Sequence, residues 1–462
     1  MSATIFTIKR SEIEKRLDPF FYRPDFMQLE NAIKKAGALP LRNYVRGIAS
    51  GATPKTDQCK KYYSDKQNGI PFLRVQNLSP TSILNYEDCK YINKETHENM
   101  LYRSQVNEGD MLVKITGVGR MAIASVAPKD FVGNTNQHMC VIKTDDEKTS
   151  WILAAWLNTD IAEKLASRRA TGGTRPALDY PALLSLPIIF DERIYKTMKN
   201  AVSEMKQKQQ QAKQLLDSID SYLLDELGIK LPQKDNSLSK RIFTTKFSEV
   251  SGGRWDCSYA FKNSVLASEL QKIKCETLEN LIISNPQYGA NEEAVDFSDG
   301  DTRYIRITDV DENGNLKNTD LKSANNIEEK YLLNENDILF ARSGSVGRCY
   351  IHKDMSIKAI FAGYLIRFVL NQNLVNPDYL FYYCNSSIYN FWVDSIQRPA
   401  VQANINSQEY KSLKIPLPPL PKQKEIASHI RKIREQAKQL QVEAEQTMQE
   451  AKKQIEKMIL GE

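Results

Sequence analysis

The stretch from Lys424 to Leu460 limits the fold more than any other. It holds no Gly and no Pro, and its apolar residues recur at heptad spacing. Ile426, Ile433 and Leu440 lie seven apart; Ile430, Ala437, Ala444 and Ala451 form a second row, which Met458 closes. A 3.5-residue repeat makes a narrow seam, and a narrow seam predicts a partner helix. Arg193 to Leu227 supplies one. Ile194, Ala201, Leu215 and Tyr222 form one row, and Met198, Met205, Ala212 and Ile219 the other, with Lys208 interrupting the seam. Each helix would span about 55 Å, and helices this polar are only marginally stable unless the seam is buried. Antiparallel pairing within the chain would place a globular stretch at either end of the pair, related by a pseudo-twofold axis. Pairing between two molecules is the alternative.

Each helix follows a copy of the same unit, and such self-similarity fixes the architecture. Ser11-Glu12-Ile13 and Arg16-Leu17-Asp18 correspond to Ser248-Glu249-Val250 and Arg254-Trp255-Asp256. The strand pattern Pro71–Val75 corresponds to Arg303–Ile307, and Asn107–Val113 to Asn334–Phe340. Gly117–Arg120, Arg175-Pro176-Ala177 and Leu186-Pro187-Ile188 have counterparts in Gly344–Arg348, Arg398-Pro399-Ala400 and Ile415-Pro416-Leu417. The expected fold is mixed α/β (α+β): two similar globules joined by two long antiparallel coiled-coil helices. The expected parts are residues 1–190 (arm and first globule), 191–230 (first helix), 231–422 (linker, arm and second globule) and 423–462 (second helix). Pro416–Pro421 reads as a stiff lead-in to the second helix.

A chain of 462 residues is too long for one core. No run of about 18 apolar residues is present, and MSATIFTIKR lacks the apolar core of a signal peptide. A cytoplasmic location is expected. Seven scattered cysteines without a C-x-x-C pair predict reduced thiols and no zinc cage. The net charge of +6 permits nucleic-acid binding without demanding it.

The search for catalytic motifs returns nothing specific. Asn285-Pro286-Gln287-Tyr288 resembles the N-P-P-Y turn of adenine methyltransferases but lacks one Pro, and no Gly-rich loop precedes it. Gly117-Val118-Gly119 lacks the third glycine of a dinucleotide fold, and no P-loop is present. No catalytic or metal-ligating residues are assigned. What remains is polar and basic loop material. Arg168, Arg169, Thr171, Gly172, Gly173, Thr174 and Arg175 offer guanidiniums, hydroxyls and a backbone that a partner can approach closely. Gln397, Arg398, Gln402 and Asn404 stand at the matching place in the second unit. Arg suits guanine, and Gln or Asn suits adenine, in the major groove. Lys60, Lys61, Tyr62, Asn136 and Gln137 add to the first unit, and Arg342, Ser343 and Ser345 to the second. Arg74 and Arg306 recur inside strands and read as structural. The loops differ between copies while the scaffold agrees, as expected of one frame reading two targets.

The chain resembles the DNA-specificity subunit of type I restriction–modification systems over nearly its whole length. The resemblance rests on Arg16-Leu17-Asp18 and Arg254-Trp255-Asp256, on Phe72–Val75, on Glu108–Leu112 and Glu335–Leu339, and most strongly on Ile415–Ile426. Leu186–Asp191 departs from that last pattern, lacking the proline cluster and the Gln. The resemblance implies two target-recognition domains, each reading half of a split double-stranded DNA site, with the helices setting the gap. It implies two methyltransferase subunits bringing S-adenosylmethionine, and two ATP- and Mg-dependent restriction subunits. The chain itself would bind no cofactor and catalyse nothing. Two readings from other classes are a protein-scaffolding adaptor and a free-standing adenine methyltransferase using Asn285–Tyr288.

Overall fold

The structure is a computed structural model that describes residues 5–13, 16–231, 244, 257–397 and 403–462. The second-unit arm Arg254-Trp255-Asp256 lies outside these residues. Contacts divide the chain into two compact units, Met1–Gln210 with Leu440–Glu462, and Gln211–Gln439. The dividing line crosses both long helices, Glu192–Leu227 and Leu420–Leu460.

The same ladders recur in each unit. In the first, Met111–Lys114 lies between Ala124–Val126 and Met139–Lys143, all antiparallel, and Gly47–Ser50 extends the sheet. In the second, Ile338–Ala341 lies between Cys349–Ile351 and Leu365–Phe368, with Gln287–Tyr288 at the edge. Ile70–Leu73 runs parallel to Val132–Thr135, as Arg303–Ile305 does to Ala359–Phe361. Leu39–Pro40 pairs with Pro187–Ile188, and Cys275–Thr277 with Lys414–Pro416.

Matching turns have matching chemistry. Gly109 and Asn336 both take positive φ, 78° and 71°, where Gly and Asn fit best. The following acids, Asp110 and Asp337, each accept from an amide three residues back: Asn107 at 2.6 Å, Asn334 at 2.9 Å. Among the described residues, α-helix starts in both units carry side-chain caps: Asp146, Thr159 and Asp179 in one, Asn376, Ser386 and Asn406 in the other. Each cap satisfies amides that the first turn leaves without partners.

The cores are filled differently. Trp156, Met111, Val113, Cys140 and Ile142 are buried in the first. The second is built on Phe340, Phe368, Tyr379, Tyr383, Tyr389 and Tyr410. Its buried phenols donate to backbone carbonyls, Tyr379 to Pro416 and Tyr410 to Ala341, each at 2.7 Å. A buried hydroxyl needs such a partner.

Within each unit the two long helices run antiparallel. In the first, Lys208 faces Glu443, and Glu204 faces Thr447. In the second, the Tyr222 ring lies 4.2 Å from His429, and Glu226 pairs with Lys422 at 2.6 Å. Of the expected seam residues, Ile194, Met198, Met205, Ile426, Ile430 and Ile433 are buried, while Leu215, Ile219 and Leu440 are half-buried. Val202, Leu223, Leu227, Ile455 and Ile459 are buried as well, and Met458 only half. The stripe is wider than a heptad seam because the helices also face the globule cores, to which these residues belong. Gln423 anchors the start of the second helix: its fully buried amide accepts from Asn376 N–H at 2.8 Å and donates to Pro418 O at 2.8 Å.

Lys208 sits between Glu204 (2.9 Å) and Glu443 (3.5 Å), a charged layer in an otherwise apolar stripe. A polar layer costs stability but fixes register. Lys208→Leu is therefore expected to raise the thermal midpoint while broadening the transition. A sharp transition at a lower midpoint would assign the lysine a stabilising role instead.

Candidate nucleic-acid interface

The loop edge of each unit is held by one set of backbone hydrogen bonds. In the first unit, His138 O accepts from the amides of Ile115 (3.0 Å) and Thr116 (3.2 Å), and Leu178 N–H donates to Ile115 O at 2.8 Å. In the second, Tyr364 O accepts from Arg342 N–H at 2.9 Å, and Ile405 N–H donates to Arg342 O at 2.9 Å. Thr116 bridges Ala177 as Ser343 bridges Asn404. Asn136 N–H donates to Leu73 O (3.2 Å), as Ala362 N–H does to Ile305 O (2.9 Å). Equivalent backbone positions thus carry different side chains at three of four places, Ile115 against Arg342, His138 against Tyr364 and Ala177 against Asn404, while Thr116 and Ser343 both keep a hydroxyl.

Two glycines let the strands close up beneath this edge. A Cβ on Gly51 would lie 1.7 Å from Thr135 O, and one on Gly289 would lie 2.3 Å from Phe361 O. Each glycine follows its unit's edge strand, Gly47–Ser50 or Gln287–Tyr288.

In the first unit, Thr171 and Ala177 exchange backbone bonds at 2.8 and 2.7 Å, closing an exposed loop that carries Gly172, Gly173, Thr174 and Arg175. Gly172 has φ 96°. Gly117 N–H donates to Pro176 O at 3.1 Å, which sets this loop beside Thr116 and His138. The exposed Gln137 amide accepts from the Thr53 hydroxyl, and the Tyr63 phenol donates to Pro54 O at 2.9 Å. The turn bearing Lys60, Lys61 and Tyr62 is thereby tied to the same edge, with Lys60 and Lys61 exposed. Asn136 is buried, and its side chain accepts from His138 N–H at 3.1 Å, shaping the loop.

Arg168 and Arg169 do not belong to that edge. Both are buried, and both pair with Glu30, Arg169 at 2.7 Å. Arg168 Nε also donates to Phe21 O at 2.5 Å, with its guanidinium 4.2 Å from the Phe21 ring. Arg16 donates to Arg169 O at 2.7 Å, and the Tyr22 phenol to Arg16 O at 2.6 Å. These two arginines anchor the N-terminal arm against the end of helix Asp160–Arg169. Buried charges persist only when paired, and Glu30 gives them that pairing.

In the second unit Arg342, Ser343 and Asn404 come together, with Ser345 in the same turn. The Arg342 guanidinium stands 4.9 Å from the Tyr288 ring, and its Nε is buried without a hydrogen-bond partner. Tyr364, 63% exposed, completes the patch. Gln397 caps helix Ser387–Ile396, its amide donating to Val393 O at 3.2 Å. Arg398 and Gln402 lie outside the described residues. Sequence reasoning passed over Thr53 and Thr116 in one unit and Tyr364 in the other, and weighed Tyr288 only as part of a methyltransferase-like turn. Aligning the two copies position by position pairs His138 with Tyr364.

Residues 291–446 match the family model of the type I restriction modification DNA specificity domain. Over those residues, about a third of the chain, the sequence is similar to that domain, the family that the resemblance named. Three solved structures are similar to nine-tenths or more of the chain, each at 13% identity. One is described under complex assembly and conformational transition of the type I R-M system (92% of this chain, 96% of that one, TM-score 0.44). Another is the type I restriction–modification S subunit from M. genitalium (90% and 95%, TM-score 0.38). The third is the HsdS subunit from Thermoanaerobacter tengcongensis (92% and 95%, TM-score 0.32). No helix among the described residues is long and apolar enough to cross a membrane.

Proposed function

We propose that this chain is the non-catalytic DNA-reading subunit of a type I restriction–modification complex, each unit reading one half of a bipartite target. The observation that carries the reading is the loop edge, where one backbone frame displays different side chains in the two units. Sequence readout needs that combination: fixed positions, with base-edge contacts varied upon them. In the first unit the readers are drawn from Lys60, Lys61, Tyr62, Gln137, Thr171, Gly172, Gly173, Thr174 and Arg175. In the second they are drawn from Arg342, Ser343, Ser345, Gln397, Arg398, Gln402 and Asn404. Two methyltransferase subunits dock on the outer faces of the long helices and bring S-adenosylmethionine. Restriction subunits add ATP- and Mg-dependent cleavage.

Exchanging residues 41–190 for the corresponding domain of another such subunit is expected to change one half of the methylated motif and leave the other half intact. Sequencing methylated positions in genomic DNA from cells carrying the complex reads this directly. A motif altered in both halves, or in neither, would refute the division of labour.

A further inference from the structure

Arg74 and Arg306 occupy the same place in the two units. Each follows the strand that runs parallel to the loop-bearing strand, and each begins a short 3-10 turn. The amide of each donates to the side chain three residues on, Arg74 to Asn77 at 2.8 Å and Arg306 to Asp309 at 2.9 Å. Their guanidiniums differ. That of Arg306 is neutralised by Asp309 at 2.8 Å and Asp320 at 3.2 Å. Arg74 has Asn77 where Arg306 has Asp309, and the amide carries no charge. Arg74 is half-buried, and its Nε is enclosed without a hydrogen-bond partner. Among the described residues no carboxylate pairs with it.

A half-buried, unneutralised guanidinium costs stability and persists where something outside the chain completes it. Its position says what. Leu73, the preceding residue, pairs with Thr135, and its carbonyl accepts from Asn136 N–H, at the foot of the loop bearing Gln137. Resting on the proposed DNA-reading function, we propose that Arg74 is a DNA-contacting residue of the first unit. Its outer N–H groups donate to a paired oxygen or nitrogen acceptor, either guanine O6 and N7 or a phosphate. Arg306, internally paired, performs the structural half of the same role. Arg342, which pairs with no carboxylate among the described residues and stacks on the Tyr288 ring, stands in the second unit at the position that Ile115 fills in the first.

The test compares Arg74→Gln with Arg306→Gln in the full chain assembled with its methyltransferase subunits. Binding is measured on a pool of random-sequence duplexes and on the methylated target, at several salt concentrations, alongside thermal midpoints and the methylated motif in cells. Arg74→Gln is expected to weaken target binding about tenfold or more without lowering the midpoint, whereas Arg306→Gln lowers it. A base contact relaxes one position of the motif and spares binding to the random pool. A phosphate contact weakens all duplexes alike and reduces the salt slope by about 1. Unchanged binding with an unchanged motif overturns the proposal, as does a midpoint lowered as far as in Arg306→Gln. If the wild-type complex shows no salt-dependent DNA binding, the proposed function falls with it; wild-type binding with an indifferent variant overturns this inference alone.

Discussion

Glu30→Ala is expected to melt the first unit well below the second, with a loss of about 3–5 kcal/mol. Glu30 is 4% exposed and holds three cations: Arg168, Arg169 at 2.7 Å, and Lys34 at 2.7 Å. Removing it strands two buried guanidiniums, and breaking one side of a buried ion cluster is far more costly than deleting the whole cluster. The arm should detach as well, since Phe21 O and Arg169 O tie it to the same arginines. Burial on its own would raise the Glu30 carboxyl, but Arg169, Lys34 and Arg168 outweigh it and hold it below its ordinary value. The sign of the pH dependence follows. A carboxyl whose folded value lies below its unfolded value stabilises above the unfolded value, about 4.3, and loses that contribution as pH falls through the folded one. The gap between variant and wild type should therefore narrow in acid. Calorimetry resolving two transitions at neutral and acidic pH measures both effects. A variant that melts like wild type would remove the arginine anchor from the account.

Adding two heptads to each long helix is expected to lengthen the unread gap in the methylated motif by about six base pairs. Fourteen residues extend a helix by about 21 Å, and the duplex rises about 3.4 Å per pair. Whole heptads return every seam residue to its own face, so Ile426, Ile430 and Ile433 keep their partners. Methylome sequencing gives the gap. Unchanged half-sites with an unchanged gap would show that the helices do not set the spacing.

The duplication and the two helices were legible because they depend on local pattern. Heptad spacing, turn glycines and caps are read within a few residues, and the second copy corroborates each reading. The site was less legible because exposure is decided by distant partners. Arg168 and Arg169 have the chemistry of DNA-binding residues, and only Glu30, far back in the chain, makes them an anchor. Arg74 was read as structural together with Arg306; the difference that motivates the proposal for Arg74 is Asn77 against Asp309. The wider apolar stripe at Leu223, Leu227, Ile455 and Ile459 escaped a strict heptad count because a third surface, the globule, faces it.

The division of the long helices between the units also has a bearing on synthesis. The core of the first unit includes Ile455 and Ile459, which lie beyond the whole of the second. The second unit is one uninterrupted segment and can close as it leaves the ribosome. The first must wait, its apolar helix face open, until that segment has been made. Loop-closure entropy grows only slowly with length, so the penalty is one of time rather than of final stability. For that interval the nascent chain exposes Ile194, Met198 and Val202, an apolar face that Ile455 and Ile459 can cover only once the second unit's segment is complete.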